Sequence, residues 1–254
     1  FGAMETIHAE AYSLLNEELG LDDFSEFLED EATLAKIENL MDVRDSFGTE
    51  RNWHEIAKSL VIFSAFTEGV NLFSSFAVLL SFKLQNKLKG VGQIVEWSIR
   101  DESMHSEAGC WLYRTLMEEK TEVKTQELEA GCWLFRTLIE ENPELKTQEL
   151  EAAINEAALL SLQLELNFID KVYEMGDLEK CSKYDLQNFI KHRVNTKLGD
   201  LGYNSIIQDV DLAAVDRMKW FDALSAGKQH TDFFASRVTN YSKGHHNWDA
   251  SNIF

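Results

Sequence analysis

The stretch from Ser59 to Phe82 most constrains how this chain can fold. It reads SLVIFSAFTEGVNLFSSFAVLLSF and contains a single charged residue, Glu68. A helix that is apolar on all sides is either the centre of a large bundle or a membrane span. We favour the bundle, because Ser, Thr and Asn recur through the stretch, the other predicted helices are strongly charged and no second span is present.

The composition predicts an all-α protein. The 254 residues include one Pro and 13 Gly, the two residue types that helices exclude. Apolar periodicity predicts helices over Phe1–Glu18, Phe24–Phe47, Arg51–Leu88, Gln93–Leu116, Glu151–Met175, Tyr184–Leu198 and Val215–Leu224, with a turn at Lys87–Gly92. We expect residues 1–230 to form one helical domain and residues 231–254, rich in Asn, Ser, Gly and His, to form an irregular tail.

The charge and the cysteines exclude several classes of protein. A formal net charge of −20 argues against binding to nucleic acid or to an anionic membrane, since both need a basic face. The cysteines are odd in number and form no Cys-x-x-Cys pair, which favours a reducing, cytosolic compartment over a disulfide framework or a zinc knuckle. They are Cys110, Cys132 and Cys181. No signal peptide is expected, because charged residues interrupt the first ten positions.

A tandem repeat interrupts the second half of the chain. Glu107–Leu128 is followed directly by Glu129–Leu150, and 17 of the 22 positions are identical. Twenty-two residues advance a helix by six turns and about 40°, so a helical insertion of this length roughly keeps its apolar face. Repeat architectures normally need three or more units, so we do not expect a solenoid.

The chain contains two Glu-x-x-His pairs, Glu5/His8 and Glu102/His105. On a helix this spacing puts both side chains on one face, one turn apart, and two facing pairs could hold two metal ions inside a bundle. Chance could also produce such a spacing. The adjacent His245 and His246 resemble a metal pair too, but in a polar tail they are expected to have no such role.

Glu68 strengthens the metal hypothesis. A carboxylate in an apolar helix is costly unless it is paired, protonated or bound to a metal. A hydrogen bond to Thr67, Asn71 or a buried His would also satisfy it. Taken with the two Glu-x-x-His pairs, metal ligation is the favoured interpretation.

These motifs together resemble the small, radical-generating subunit of class I ribonucleotide reductase, in the ferritin-like superfamily. The matching segments are METIHAEAY, FTEGVNLFSSFA and RDESMH, supported by GDLGYN and DFFASRVTNYS. The resemblance covers nearly the whole chain apart from one copy of the repeat. It implies an all-α, ferritin-like helical bundle over residues 1–230 with a dimetal-carboxylate site.

The resemblance also implies roles for individual residues. Tyr12 matches the tyrosine that is oxidised to a stable radical. Asp101 matches the acidic residue that links a metal-bound His to the radical-transfer path. Leu72 and Phe76 match apolar residues that line the radical pocket. The implied metal ligands are Glu5, His8, Glu68, Glu102 and His105.

The implied activity is that of a ribonucleoside-diphosphate reductase small subunit. Two iron ions, or two manganese ions, would react with dioxygen or a derived oxidant, Tyr12 would be oxidised, and the oxidising equivalent would pass to a large catalytic subunit that reduces ribonucleotides to deoxyribonucleotides. A homodimer is implied. The short Tyr12–Glu68 segment resembles the subfamily that can use manganese with a flavoprotein activator. The alternatives are a ferritin-like dimetal oxidase or monooxygenase, an inactive fragment of the reductase subunit, and a helical storage or interaction protein.

The chain also departs from the family pattern. The family's first ligand, an Asp on the helix before Glu5, and the upstream tryptophan of the radical path have no counterpart here. Either an N-terminal fragment or a natural short form is expected. Tyr241 is not expected to be the family's C-terminal transfer tyrosine.

Overall fold

A computed structural model describes residues 2–21, 29–46, 53–118 and 147–225. The tail 231–254 with His245 and His246, and most of the second repeat copy, lie outside these ranges. The regular structure of the described ranges is helical, which confirms the predicted all-α class. The elements are α1 (Gly2–Leu19), α2 (Glu31–Ser46), α3 (Trp53–Val61), a π-helical segment (Ile62–Asn71), α4 (Phe73–Leu84), α5 (Lys89–Glu118), α6 (Gln148–Glu174), α7 (Lys183–Asp200), α8 (Leu212–Arg217) and α9 (Lys219–Ser225).

Two predicted boundaries were wrong. We expected a turn at Lys87–Gly92 and a helix from Gln93, but α5 begins at Lys89. The chain reverses earlier because Asn86 and Leu88 adopt positive φ angles of 60° and 46°, which completes the turn before the two glycines. The single helix predicted at Val215–Leu224 is instead the pair α8 and α9, which break at Met218.

The apolar stretch forms the centre of the bundle. The helical run Ala57–Leu84 is long and apolar enough to cross a membrane, but 72% of its apolar window is buried inside the protein. The π segment packs against α5, α6 and α7, so neighbouring helices surround it on several sides. This burial explains why the run carries so few charges and favours the bundle-core interpretation over the membrane span.

Small residues let the π segment approach α5 closely. A Cβ atom added at Gly109 would lie 2.1 Å from Ser64 Oγ, and one added at Gly69 would lie 2.6 Å from Ser106 Oγ. Cβ atoms in proteins do not come this close to other atoms, so any larger residue at these two positions would force Ser64 or Ser106 to shift. These two close contacts bring the backbone around Glu68 against the middle of α5.

The remaining helices enclose this pair. Helix α6 begins at an N-cap, Thr147, whose hydroxyl accepts a hydrogen bond from the Leu150 amide at 3.1 Å. Helix α7 begins in the same way at Ser182, whose hydroxyl accepts from the Asp185 amide. Helix α1 lies at the edge of the bundle against α5, and none of its residues is fully buried. Side chains buried between the central helices form the core, among them Phe66, Val70, Phe73, Leu80, Val95, Ile99, Tyr113, Ile154 and Ile190.

Candidate metal centre

Four of the residues predicted as ligands lie together at the crossing of three elements. They come from α1 (Glu5), the π segment (Glu68) and α5 (Glu102 and His105), and each offers one ligand atom within 4.8 Å of the others. Glu68, Glu102 and His105 are buried, whereas the Glu5 side chain is 48% exposed. The structure therefore joins residues as distant in sequence as Glu5 and His105, 100 positions apart, into one acidic cluster.

His105 lies at the centre of the cluster. Its Nδ1 atom is 3.3 Å from Glu5 Oε1, 3.6 Å from Glu68 Oε1 and 3.6 Å from Glu102 Oε2. Because the ring is only 1% exposed, these carboxylates surround an imidazole that water hardly reaches. Burial lowers the pKa of His105, and the nearby charge of Glu5 opposes that shift. The neutral ring that results is the form that binds metals.

His8 lies on the other side of Glu102. Its Nδ1 atom is 3.1 Å from Glu102 Oε1 and 3.8 Å from Glu5 Oε1. Its Nε2 atom is 2.9 Å from Asp101 Oδ2. Because an ionised carboxylate can only accept, this contact assigns the ring proton to Nε2 and directs the Nδ1 lone pair toward the acidic cluster. A carboxylate that orients a ligand His in this way is common around protein-bound metals.

The two buried carboxyl groups of the cluster, Glu68 and Glu102, have raised pKa values. Burial, together with the charges of Glu102 and Glu5, raises the pKa of Glu68 to about 8. Burial and the charge of Glu5 raise the pKa of Glu102 to about 7, while His8 opposes the rise. A cluster of this kind is stabilised by protons or by a bound cation.

The donor set suits a transition metal. Carboxylate oxygens and neutral imidazole nitrogens are the ligand types that iron and manganese accept in proteins. The buried carboxyls hold protons at neutral pH that a divalent cation could replace, so the residues present fit a metal-carboxylate centre.

Tyr12 lies one helical turn beyond His8, beside the cluster. Its hydroxyl donates a hydrogen bond to Ser98 Oγ at 2.9 Å, and Ser98 is 2% exposed. Burial raises the pKa of Tyr12, which keeps the phenol protonated at neutral pH. Ser98, which precedes Asp101 and Glu102 on α5, thus holds the phenol.

The two residues predicted to line a radical pocket belong to the central helix. Leu72 is half-buried at the junction between the π segment and α4, and Phe76 is buried one turn later. Phe76 packs edge-on against Phe73, with ring centroids 5.6 Å apart. Their contact with Tyr12 stays a prediction.

Several residues around the centre had no sequence signal. Ser98 has no charge and no motif. Lys36 and Arg193 are cations in helices already rich in charge, so the contacts they make with the central helix depend on the fold. Glu165 fits the polar side of an amphipathic pattern, yet it is fully buried. The π conformation around Glu68 was not predicted either, since its apolar pattern is equally compatible with an α-helix.

The sequence matches one known family over most of its length. Residues 1–130 and 127–211 match the family described as ribonucleotide reductase, small chain. The chain belongs to this family. The two matched stretches of the small chain family overlap at residues 127–130, where the first repeat copy ends and the second begins.

Individual relatives in the small chain family agree. The chain is 33% identical over 258 residues to a protein of Invertebrate iridescent virus 3 named probable ribonucleoside-diphosphate reductase small subunit 048L, an alignment that covers 96% of this chain and 62% of the relative. It is 30% identical to small subunit 376L of Invertebrate iridescent virus 6, covering 95% of this chain and 70% of that protein. The first of these relatives is therefore considerably longer than this chain.

A solved structure supports the fold. The chain resembles a putative class I ribonucleotide reductase from Bacillus halodurans with a TM-score of 0.67 and 19% sequence identity, over 87% of this chain and 71% of the other. The likeness extends the all-α class to the ferritin-like architecture that the sequence predicted.

Proposed function

We propose that the chain provides the metal centre and the oxidisable tyrosine of a ribonucleoside-diphosphate reductase small subunit. The observation that carries this proposal is the convergence of Glu5, Glu68, Glu102 and His105 within 4.8 Å at the crossing of three elements. Membership of the small chain family supports it. His8 completes the proposed ligand set, because its Nδ1 atom faces Glu102.

The proposed centre holds two iron ions or two manganese ions. When bound, they would supply the oxidising equivalent by reacting with dioxygen or a derived oxidant. The chain's own residues prepare the site for them: buried carboxyls release protons to the solvent as the cations enter, and Asp101 keeps the His8 ring oriented through Nε2.

Tyr12 is the proposed radical site. Its oxidation would pass one electron to the oxidised metal centre and release the phenolic proton to the solvent, and before that step the hydroxyl is held by its hydrogen bond to Ser98 Oγ. Because the phenol is largely buried, water and reductants reach it poorly, as a long-lived radical requires. In this proposal Leu72 and Phe76 supply apolar walls, and Asp101 connects His8 to the outward path of the oxidising equivalent.

The proposed assembly follows from the family. A large catalytic subunit would receive the oxidising equivalent and reduce ribonucleotides to deoxyribonucleotides. We also propose a homodimer, a cytoplasmic location and, with manganese, a flavoprotein activator. Nucleic acid and membrane are not proposed partners, in keeping with the acidic net charge of −20.

The proposal is tested by metal analysis and electron paramagnetic resonance on the reconstituted protein. Anomalous scattering is expected to place metal between Glu68 and His105. After addition of Fe(II) and dioxygen, a tyrosyl radical signal is expected, and Tyr12→Phe is expected to abolish it without changing the metal content. The matched control is Tyr113→Phe, which changes a different tyrosine, one that is buried in α5. Absence of metal, or a radical signal that survives Tyr12→Phe, would contradict the proposal.

A further inference from the structure

Two cations from distant helices bind the carboxyl end of the π segment. Arg193, on α7, donates from Nε to the carbonyl oxygen of Gly69 at 2.6 Å. Lys36, on α2, donates from Nζ to the carbonyl oxygen of Asn71 at 2.7 Å. Hydrogen bonding changes from π to α at Leu72, where a carbonyl can lose its partner within the helix, and both carbonyls lie within three residues of this junction.

Arg193 is held on both sides. Its guanidinium carbon lies 3.2 Å from the centroid of the Phe73 ring, in a stacked cation–π contact. Burial lowers the pKa of Arg193 to about 9, which leaves the group cationic at neutral pH. A guanidinium that stacks on Phe73 is oriented for a directional hydrogen bond to the Gly69 carbonyl.

Lys36 is fixed by a buried network. Its Nζ atom lies 2.5 Å from Oε1 of Glu165, a carboxyl on α6 that is fully buried. Ser74, on α4, donates to the other oxygen of Glu165. The ammonium group also lies over the Phe168 ring, 4.5 Å from its centroid. The network connects α2, α6 and α4 to the Asn71 carbonyl.

We propose that Arg193 and Lys36 are positioning residues that hold the π conformation and thereby hold the Glu68 carboxylate against Glu102 and His105. Glu68 immediately precedes Gly69, so the Arg193 bond acts on the neighbouring peptide group. Return of one π turn to α-helix shifts the register by one residue, which rotates the preceding side chains by about 100° relative to those that follow. Such a rotation would move Glu68 away from α5.

The inference rests on the proposed function for its metal readout. Mn(II) alone is titrated into the full chain, and free Mn(II) is followed by electron paramagnetic resonance. Arg193→Met and Lys36→Met are each expected to weaken Mn(II) binding by about 10–100-fold, the usual effect of losing a residue that supports a ligand. Arg193→Lys keeps a donor near Gly69 and is expected to recover part of the affinity.

Lys83→Met is the matched control. Lys83 is a partly buried cation whose Nζ atom pairs with Glu96 Oε1 at 2.7 Å between α4 and α5, away from the two carbonyls. Its loss should lower the melting temperature while Mn(II) affinity stays within about threefold of wild type. Lys36→Met combined with Glu165→Gln removes both buried charges, and should still bind Mn(II) weakly because Asn71 still lacks its donor.

A second readout needs no metal. Amide hydrogen exchange of the metal-free protein should accelerate by about tenfold or more across residues 64–72 in Arg193→Met, but not in Lys83→Met. Wild-type Mn(II) affinity in Arg193→Met and Lys36→Met, together with wild-type exchange in Arg193→Met, would overturn the inference. An equal loss of Mn(II) affinity in Lys83→Met would overturn it too. If the wild-type protein binds no Mn(II), the proposed function fails, while the exchange comparison still decides the role of Arg193. Should Arg193→Met fail to fold, Lys36→Met with Glu165→Gln decides it.

Discussion

The Glu-x-x-His motif occurs twice in this molecule, in two different environments. Glu102 and His105 form the inner pair, and Glu5 and His8 form the outer pair. Glu102 and His105 lie on α5, against the π segment, and their side chains are 6% and 1% exposed. Glu5 and His8 lie on α1, an edge helix, and their side chains are 48% and 13% exposed. One turn of helix sets the geometry within each pair, but the surroundings decide how strongly each pair is held. The inner pair is fixed by glycine-mediated packing, whereas the outer pair depends on contacts with α5.

The largest expected difference between the two pairs is in metal affinity. Glu102→Ala should weaken Mn(II) binding by roughly 100-fold or more, since even outer-shell partners cost about 10–100-fold. Glu5→Ala should cost about tenfold, because water can replace a half-exposed ligand. Calorimetric titration with Mn(II) measures both, and Glu107→Ala, on the exposed side of α5, is the control. Equal losses for Glu5 and Glu102 would show that burial does not rank the two pairs.

The second effect is the pH dependence of stability in the metal-free protein, and it comes from Glu68, which faces His105 of the inner pair. The pKa of Glu68 is about 8 in the folded protein and 4.5 in the unfolded chain, so between these pH values the folded state binds more protons than the unfolded state. Its contribution to the free energy of unfolding is therefore present below about pH 4.5 and is lost as the pH rises through 8. Glu68→Gln should remove this loss, and at pH 8 it should stabilise the metal-free protein by a few kcal/mol.

Urea unfolding at pH 6 and pH 8 measures the effect of Glu68→Gln. Glu5→Gln removes a neighbouring charge that helps to raise the pKa of Glu68, and is expected to reduce the pH slope less than Glu68→Gln does. Mn(II) should reverse the order at pH 8, stabilising the wild type more than Glu68→Gln. A pH slope that is identical in the wild type and in Glu68→Gln would show that burial does not raise the pKa of Glu68.

A third and smaller effect concerns the outer pair alone. Asp101→Ala removes the acceptor for His8 Nε2 and leaves the ring free to rotate, so Mn(II) affinity should fall by about tenfold. Asp101→Asn keeps an acceptor oxygen and should recover most of that loss. The same calorimetric titration measures both variants. Equal affinity in the Ala and Asn variants would mean that Asp101 does not orient His8.

The sequence predicted more of the inner pair's environment than of the outer pair's. Glu68 stood alone in an apolar run, and burial of that run between helices is what makes its carboxyl unusual. The all-α, ferritin-like fold followed from composition, periodicity and resemblance. The exposure of Glu5 could not be predicted, because the periodicity of α1 fixes which residues share a face but not what covers that face. The same holds for Arg193, whose bond to Gly69 joins positions 124 residues apart.

The smallest expected effect is the loss of the Tyr12 hydrogen bond, which ties the outer helix to α5 beside the inner pair. Tyr12→Phe removes the donor to Ser98 and should lower the free energy of unfolding by about 1 kcal/mol, the usual net value of one such bond. Ser98→Ala should cost a similar amount, and the double variant should cost little more than either single variant, because both remove the same bond. Urea unfolding of the metal-free proteins measures the cycle. Additive losses would show that the two side chains act independently and that α1 is held to α5 by its other contacts.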